Sequence, residues 1–375
     1  MHDQVIYYRL HDLKKILENK NINRIFLVTG NKSFDKSDAK NKLDLLLQNF
    51  DVLRYPVLRP NPLFDDILEG AEKIRDFHPE VIIAIGGGSV QDTAKLLSVI
   101  SLETNKANEL IMGKICSPKR EITFISIPTT AGSGSEATHF AVVYKDGIKY
   151  SVASEHLLPD FVVLDPTLTY TLTPYLTAVS GMDALSQAIE SYWAVGSTNE
   201  SKVFATDALR LILSVFPEIV KNATPESRRK MLMGAHLAGK AINISKTTAP
   251  HAISYVISSF FKVAHGQAVA LTLPLFFEHN LGDSGTLNHG INKKDISKIK
   301  TDLCRLLNCK DVAEGKRKIT QIIKDCNLKT KITEFVSSDK RVLNLIMNGI
   351  NKERLMNNPK ILSSYELKTL LRSIA

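Results

Sequence analysis

The 375-residue chain is 44% apolar and 23% charged, ordinary values for a globular protein with room for two substantial cores. Its net charge of +9, from 48 Lys and Arg against 39 Asp and Glu, is scattered through Lys- and Asn-rich stretches, which argues against nucleic acid as a partner. No apolar run reaches the ~18 residues of a membrane span, MHDQVIYYRLHDLKKI has no secretory core, and the four cysteines show no CxxC spacing, so free thiols in a reducing cytoplasm and no membrane are expected.

The first predicted element, RIFLVTG (24–30), is a short β-branched run closed by Gly30, and a helical stretch follows to about Asn49. DVLRYPVL (51–58) reads as a second strand, ended by PNP. LFDDILEGAEKIRDF then repeats apolar residues at Leu63, Ile67, Ala71 and Ile74, a helical spacing. EVIIAI (80–85) has the composition of a fully buried strand and runs into GGGS and the helix SVQDTAKLLSVI. EITFISIP (121–128) and FVVLDP (161–166) are further strands. Strands separated by helices predict an α/β domain with a mostly parallel sheet covered on both faces. From about Thr173 the chain reads as helices only, among them SGMDALSQAIESYWAV, SKVFATDALRLILSVF and PESRRKMLMGAHLAGKAINI. The expected layout is therefore an α/β dinucleotide-binding domain over 1–172, a hinge near 170–176, and an all-helical metal-binding and substrate domain over 173–375.

Two loops carry chemistry in the first half. Gly86, Gly87, Gly88 and Ser89 join a buried strand to a helix, where a bare backbone and helix N–H groups suit a pyrophosphate. On its own such a turn is as readily a plain tight turn. It is no Rossmann fingerprint, because Gln91 stands where the third glycine belongs, and no Walker loop. The following helix carries Asp92 and Lys95. PTTAGSGSEAT (128–138) follows another strand and offers a polar rim of Thr129, Thr130, Ser133 and Ser135. Open α/β sheets bind ligands at the carboxyl ends of their strands, and two such loops together point to a nucleotide.

In the helical half, Asp183 and Gln187 lie four apart in GMDALSQAIESYW and share a helical face. His251 follows in KTTAPHAISY and His265 in KVAHGQAVALTLP. Two imidazoles, one carboxylate and an amide oxygen can hold a divalent first-row metal with a position open for a substrate oxygen. Taken singly, each has a plainer reading: packed or surface histidines, and Asp183 as a helix cap.

GGGSVQDTAK, PTTAGSGSEAT, the Asp183 helix and the two histidine segments together resemble the iron-containing (group III) alcohol dehydrogenase family, which shares the dehydroquinate synthase fold. The resemblance runs from Arg24 to NNPKILSSYEL near the C-terminus. It implies an NAD(P)-linked alcohol dehydrogenase or aldehyde reductase. In that pattern Gly86 to Ser89 cradle the pyrophosphate, Asp92, Thr129, Thr130 and Ser133 belong to the cofactor site, and Lys149 in GIKYSV contacts the cofactor. Asp183, Gln187, His251 and His265 fall on the ligands of Fe²⁺ or Zn²⁺, with Asp183, His251 and His265 at the catalytic centre.

Two departures stand out. Gln187 replaces a ligand histidine, and Tyr255 replaces a second histidine four residues after the first of its segment. Tyr255 is then either a proton donor or a packed aromatic. NAD-using relatives place an Asp after the first strand, whereas this chain has Gly30, Asn31, Lys32 and Ser33, a pattern resembling NADP-using relatives. NADP with NAD tolerated is expected, against a loop that merely lacks selectivity. INISKTTAPHAISY and AIESYWAVGSTNES look like the phosphonoacetaldehyde reductase branch, which implies a small anionic aldehyde as substrate. Lys246, Thr247, Thr248 and His139 would form its anion pocket, against a surface lysine and a helix cap. Rival readings are a general short-chain alcohol or aldehyde dehydrogenase and a catalytically silent nucleotide-binding paralogue. The assembly is left open, with a homodimer as the expectation.

Overall fold

The computed structural model describes residues 4–335, 340–350 and 352–374, and the chain divides into two compact units, Met1–Thr171 and Leu172–Ala375. The first unit carries a six-stranded sheet built from β1 (Val5–Tyr7), β2 (Arg24–Gly30), β3 (Asp51–Val57), β4 (Val81–Gly86), β5 (Thr123–Pro128) and β8 (Phe161–Val163), in the order β1-β8-β5-β4-β2-β3. Every pairing is parallel. Successive side chains on a strand point to opposite faces, and here both faces are apolar. Phe26, Val28, Ile82, Ala84 and Phe124 pack with Ile67, Ala71, Ala94 and Leu97, from helices Phe64–Phe77 and Gly88–Ile100. Ile25, Leu27, Ile83, Ile85 and Ile125 pack with Leu13, Leu17 and Leu43, from helices Leu13–Asn19 and Asp38–Leu47. That double burial explains the unbroken apolar run of β4.

Two elements depart from the sequence expectation. β1 is only three residues long, too short for a periodicity signal. An antiparallel hairpin, β6 (Phe140–Lys145) with β7 (Ile148–Ala153), follows the second Gly-rich loop. Its turn residues Asp146 and Gly147 have φ of 51° and 75°, the backbone that an Asp-Gly pair favours in a two-residue hairpin turn.

The second unit is helical among its described residues, apart from a single bridge between Leu287 and Lys360. Pro174–Trp193 is buried nearly all round, so it lies within that unit rather than on its surface. Its start is fixed by Thr173, whose hydroxyl accepts from the Leu176 N–H, and by Pro174 in the first turn. Helices Asn199–Leu213, Pro225–Ser245, Ala249–Phe261 and His265–Leu281 follow. The last crosses Pro174–Trp193 so closely that a Cβ on Gly266 would collide with the Val179 carbonyl oxygen. No helix among the described residues is long and apolar enough to cross a membrane.

Candidate dinucleotide groove and metal centre

In the sheet order, β3 lies on one side of β2, whereas β4, β5 and β8 lie on the other. The reversal falls between β2 and β4, the place where open parallel sheets bind ligands beyond their carboxyl ends. A groove of about 570 Å³ occupies that place, lined by residues 30–33, 57–60 and 87–90. Gly30, Lys32, Ser33, Gly87, Gly88 and Ser89 all line it; Gly86 ends β4 just behind it. Its lining includes two cations, Lys32 and Arg59, and no carboxylate; Asp35 of the same loop is paired with Arg54 at 2.7 Å. Arg59 escaped the sequence reading because it follows a different strand from the Gly-rich turns.

The two Gly-rich loops touch. A Cβ on Gly88 would sit 3.0 Å from the Ser133 hydroxyl, and one on Gly87 would sit 3.3 Å from the Thr130 methyl. Thr129 is tied to the first loop by its N–H donating to the Gly86 carbonyl at 3.1 Å. Gln91, in the place of a third glycine, staples the strand ends: its amide donates to the carbonyls of Gly86 and Ile127, both at 3.2 Å, and accepts from the Ser126 hydroxyl at 2.6 Å.

Asp92 and Lys149 stand apart from the groove lining. Asp92 accepts from the Ser135 hydroxyl (2.7 Å) and the Val142 N–H (3.1 Å), so it holds the second loop and the hairpin in place. Desolvation pushes its pKa up against the charges of Lys95 and Lys149. Lys95 is fully buried and donates to Ser135, Thr138 and the Phe140 carbonyl. Burial pushes its ammonium down to about 8 against Asp92 and Glu136. These contacts give the Asp92 carboxylate a positioning role for the second loop and the hairpin. His139 packs edge-on against Phe140 in this same unit.

In the second unit, Asp183, His251 and His265 bring one ligand atom each to within 4.8 Å of one another. Asp183 Oδ1 is 3.1 Å from His251 Nε2 and 3.9 Å from His265 Nε2. Ligands about 2.1 Å from one ion at tetrahedral angles are about 3.4 Å apart, so these three atoms fit a divalent metal. Asp183 and His251 are buried while the His265 side chain is 35% exposed, which leaves one side of the cage open.

Gln187 behaves differently from a fourth ligand. Its amide nitrogen donates to Asp183 Oδ1 at 3.1 Å, and an amide nitrogen is no metal donor. In this rotamer it orients the carboxylate, and coordination would require the amide to turn over. Tyr255 stacks on His265 (centroids 5.1 Å, interplanar angle 9°) and meets His251 edge-on at 6.4 Å.

Sequence reasoning missed Glu190, seven residues after Asp183 and on the same helical face as Asp183 and Gln187. It is fully buried, takes the Nδ1 side of His251, and accepts from the Thr248 N–H (2.7 Å) and hydroxyl (2.9 Å). A carboxylate on the far nitrogen of a ligand histidine fixes its tautomer and aims the other nitrogen at the metal. A lone acid inside the apolar stretch LSQAIESYW was the available signal. Thr248 also accepts from Trp193 Nε1 at 2.9 Å and is fully buried. Its hydroxyl props Glu190. Lys246 is exposed with φ 60°, and Thr247 is half-buried.

Electrostatics follow from this packing. Burial pulls the His251 pKa down, but Glu190 and Asp183 raise it well above its usual 6.5. Desolvation pushes the Asp183 pKa up, yet His265, His251 and Gln187 hold it below its usual 3.8. Both carboxylates thus favour a protonated His251 ring in the metal-free protein, and the ring must lose that proton to coordinate. We expect metal uptake at pH 7 to release about one proton per ion, with affinity rising about tenfold per pH unit up to the His251 pKa. Calorimetry in buffers of different ionisation heat measures this, and release of no proton would contradict it.

Comparison with known proteins agrees with these features. Residues 5–166 match the model of the iron-containing alcohol dehydrogenases, and residues 177–375 match the C-terminal model of the Fe-containing alcohol dehydrogenase family. The NADPH-dependent butanol dehydrogenase of Clostridium saccharobutylicum is 31% identical over 281 residues, 73% of this chain and 72% of its own. The NAD-dependent methanol dehydrogenase of Bacillus methanolicus is 32% identical over 62% of this chain, a stretch spanning only 61% of that relative's own length. An aldehyde-alcohol dehydrogenase of Entamoeba histolytica is spanned over 40% of its length. The crystal structure of sulfoacetaldehyde reductase from Bifidobacterium kashiwanohense in complex with NAD⁺ matches with a TM-score of 0.90 at 27% identity, covering 100% of this chain and 97% of that one.

Proposed function

Because the chain belongs to the iron-containing alcohol dehydrogenase family, we propose that it is an NAD(P)H-linked, metal-dependent reductase of small anionic aldehydes, with phosphonoacetaldehyde going to 2-hydroxyethylphosphonate as the leading reaction. The observation that carries the chemistry is the Asp183–His251–His265 cage, closed at chelating distance and open beside His265. A divalent metal bound there supplies a Lewis acid for the aldehyde oxygen. The chain's own residues do the rest. Glu190 holds His251 Nδ1 so that Nε2 faces the cage, and Gln187 steadies Asp183. Tyr255, lying against both imidazoles, is the group we assign to deliver a proton from its hydroxyl to the product oxygen. Lys32, Ser33 and Arg59 in a groove lined by no carboxylate support NADPH as the preferred hydride donor.

The anionic substrate is supported by the full-length likeness to a sulfoacetaldehyde reductase. Sulfoacetaldehyde and phosphonoacetaldehyde are both two-carbon aldehydes ending in a tetrahedral anion. A general short-chain alcohol dehydrogenase is the second reading, favoured by the butanol dehydrogenase relative. NADPH oxidation by Fe²⁺- or Zn²⁺-loaded protein separates them. We expect kcat/KM for phosphonoacetaldehyde to exceed that for propanal by about 30-fold or more, the worth of a charge-assisted contact. Comparable values would move the assignment to the second reading.

A further inference from the structure

One cation of the helical unit has no place in the chemistry described so far. Arg354, in the short helix Lys352–Leu355, lies with its guanidinium 4.6 Å over the Tyr255 ring. Tyr255 in turn lies parallel to the His265 imidazole at 5.1 Å. Guanidinium, phenol and imidazole therefore form one column that ends on a ligand of the metal cage. An arginine that rests on an aromatic face keeps its N–H groups in the guanidinium plane, pointing outward. Among the described residues no hydrogen bond or ion pair takes those groups. The guanidinium thus rests over the Tyr255 ring with no described residue taking its donors.

The segment presenting Arg354 is itself tied down. Three residues on, the Asn357 amide donates to the carbonyls of Ser245 and Thr247, both at 2.9 Å, and accepts from the Gly196 N–H at 2.9 Å. Those two carbonyls flank Lys246, whose φ of 60° is the left-handed backbone a lysine rarely adopts. The chain carrying Arg354 is therefore clamped to the turn carrying Lys246.

Reach is compatible with substrate. Two ring spacings, 4.6 and 5.1 Å, separate the guanidinium from the His265 ring. With bonds near ~1.5 Å, a two-carbon aldehyde spans about 5 Å from its carbonyl oxygen to the outer oxygens of a terminal tetrahedral anion. A charge-assisted hydrogen bond of about 2.8 Å extends that reach to the guanidinium.

We propose that Arg354 is the specificity-determining residue of the substrate site, placed over the Tyr255 ring so that its donor fork takes the terminal phosphonate or sulfonate of the aldehyde. This rests on the reductase reading above and assigns the anion to a residue outside the Lys246–Thr248 segment. The test compares wild type, Arg354→Gln and Arg354→Lys with phosphonoacetaldehyde, sulfoacetaldehyde and propanal, in metal-loaded protein with NADPH. A second readout is calorimetric binding of methylphosphonate to each protein with NADP⁺.

In Arg354→Gln the ratio of kcat/KM for either anionic aldehyde to that for propanal should fall roughly 10- to 100-fold, chiefly through KM. Methylphosphonate affinity should fall by a similar factor. Arg354→Lys, which restores charge without the fork, should recover only part of the ratio. A larger fall for phosphonoacetaldehyde than for sulfoacetaldehyde would mark the dianion as the ligand, and equal falls a tetrahedral anion of either charge. Equal losses on all three aldehydes would show that Arg354 merely props Tyr255 and would overturn the proposal. So would an intact ratio in a wild type that prefers anionic aldehydes, or a rise confined to the KM for NADPH. A wild type that shows no such preference overturns the substrate reading itself, a result distinct from these.

Discussion

Replacing Glu190 with Gln should lower metal affinity about 10- to 100-fold, the usual effect of removing a carboxylate behind a ligand histidine. Glu190 is fully buried and gathers three donors: His251 Nδ1 and the N–H and hydroxyl of Thr248. An amide of the same shape keeps part of this network but removes the charge that raises the His251 pKa. Titration of the His251 ring by NMR should therefore move down in the same variant, a shift that a purely structural role would not give. Glu190→Ala goes further, leaving buried donors without a partner, and should cost about 3 kcal/mol of stability in the metal-free protein. Competition against a chromophoric chelator measures the first effect and thermal unfolding the second. Wild-type metal affinity in Glu190→Gln would refute the positioning role.

Gly266→Ala should be among the most damaging single-methyl changes in the helical unit. The added Cβ would meet the Val179 carbonyl oxygen, a backbone atom in the buried Pro174–Trp193 helix that cannot swing aside. Separating the two helices should cost about 3 kcal/mol, the upper part of the range for overpacking. The same shift carries His265, the preceding residue, away from Asp183 and His251. Metal affinity should then drop by about tenfold or more, since such sites tolerate only about 0.5 Å of displacement. Thermal unfolding of metal-free protein and chelator competition separate the two losses, and an unchanged melting temperature would show that the crossing can relax.

The sheet was legible because four of its six strands are apolar runs ended by Gly, Pro or Asp, and both Gly-rich loops sit directly at strand ends. The metal triad was legible because its residues lie in long motifs. What escaped was set by contacts distant in sequence. The role of Glu190 depends on Thr248 and His251, about sixty positions away, and Arg354 acquires its meaning only from Tyr255, a hundred positions earlier. Asp92 and Thr248 show the same dependence on distant partners. Each sits beside a site motif in the chain, yet each uses its oxygens to hold a neighbouring element. The hairpin was a different kind of miss: an Asp-Gly turn between alternating residues is a local signal that was there to be used.

The cage draws its three ligands from three separate helices, at positions 183, 251 and 265. No fragment emerging early from the ribosome contains more than one of them, and none of the three helices can chelate an ion alone. Capture of the ion therefore has to wait until residues beyond 265 have been synthesised and the helices have docked. Assembly of this chelating site is thereby a late step in maturation, one that follows the docking of the three helices.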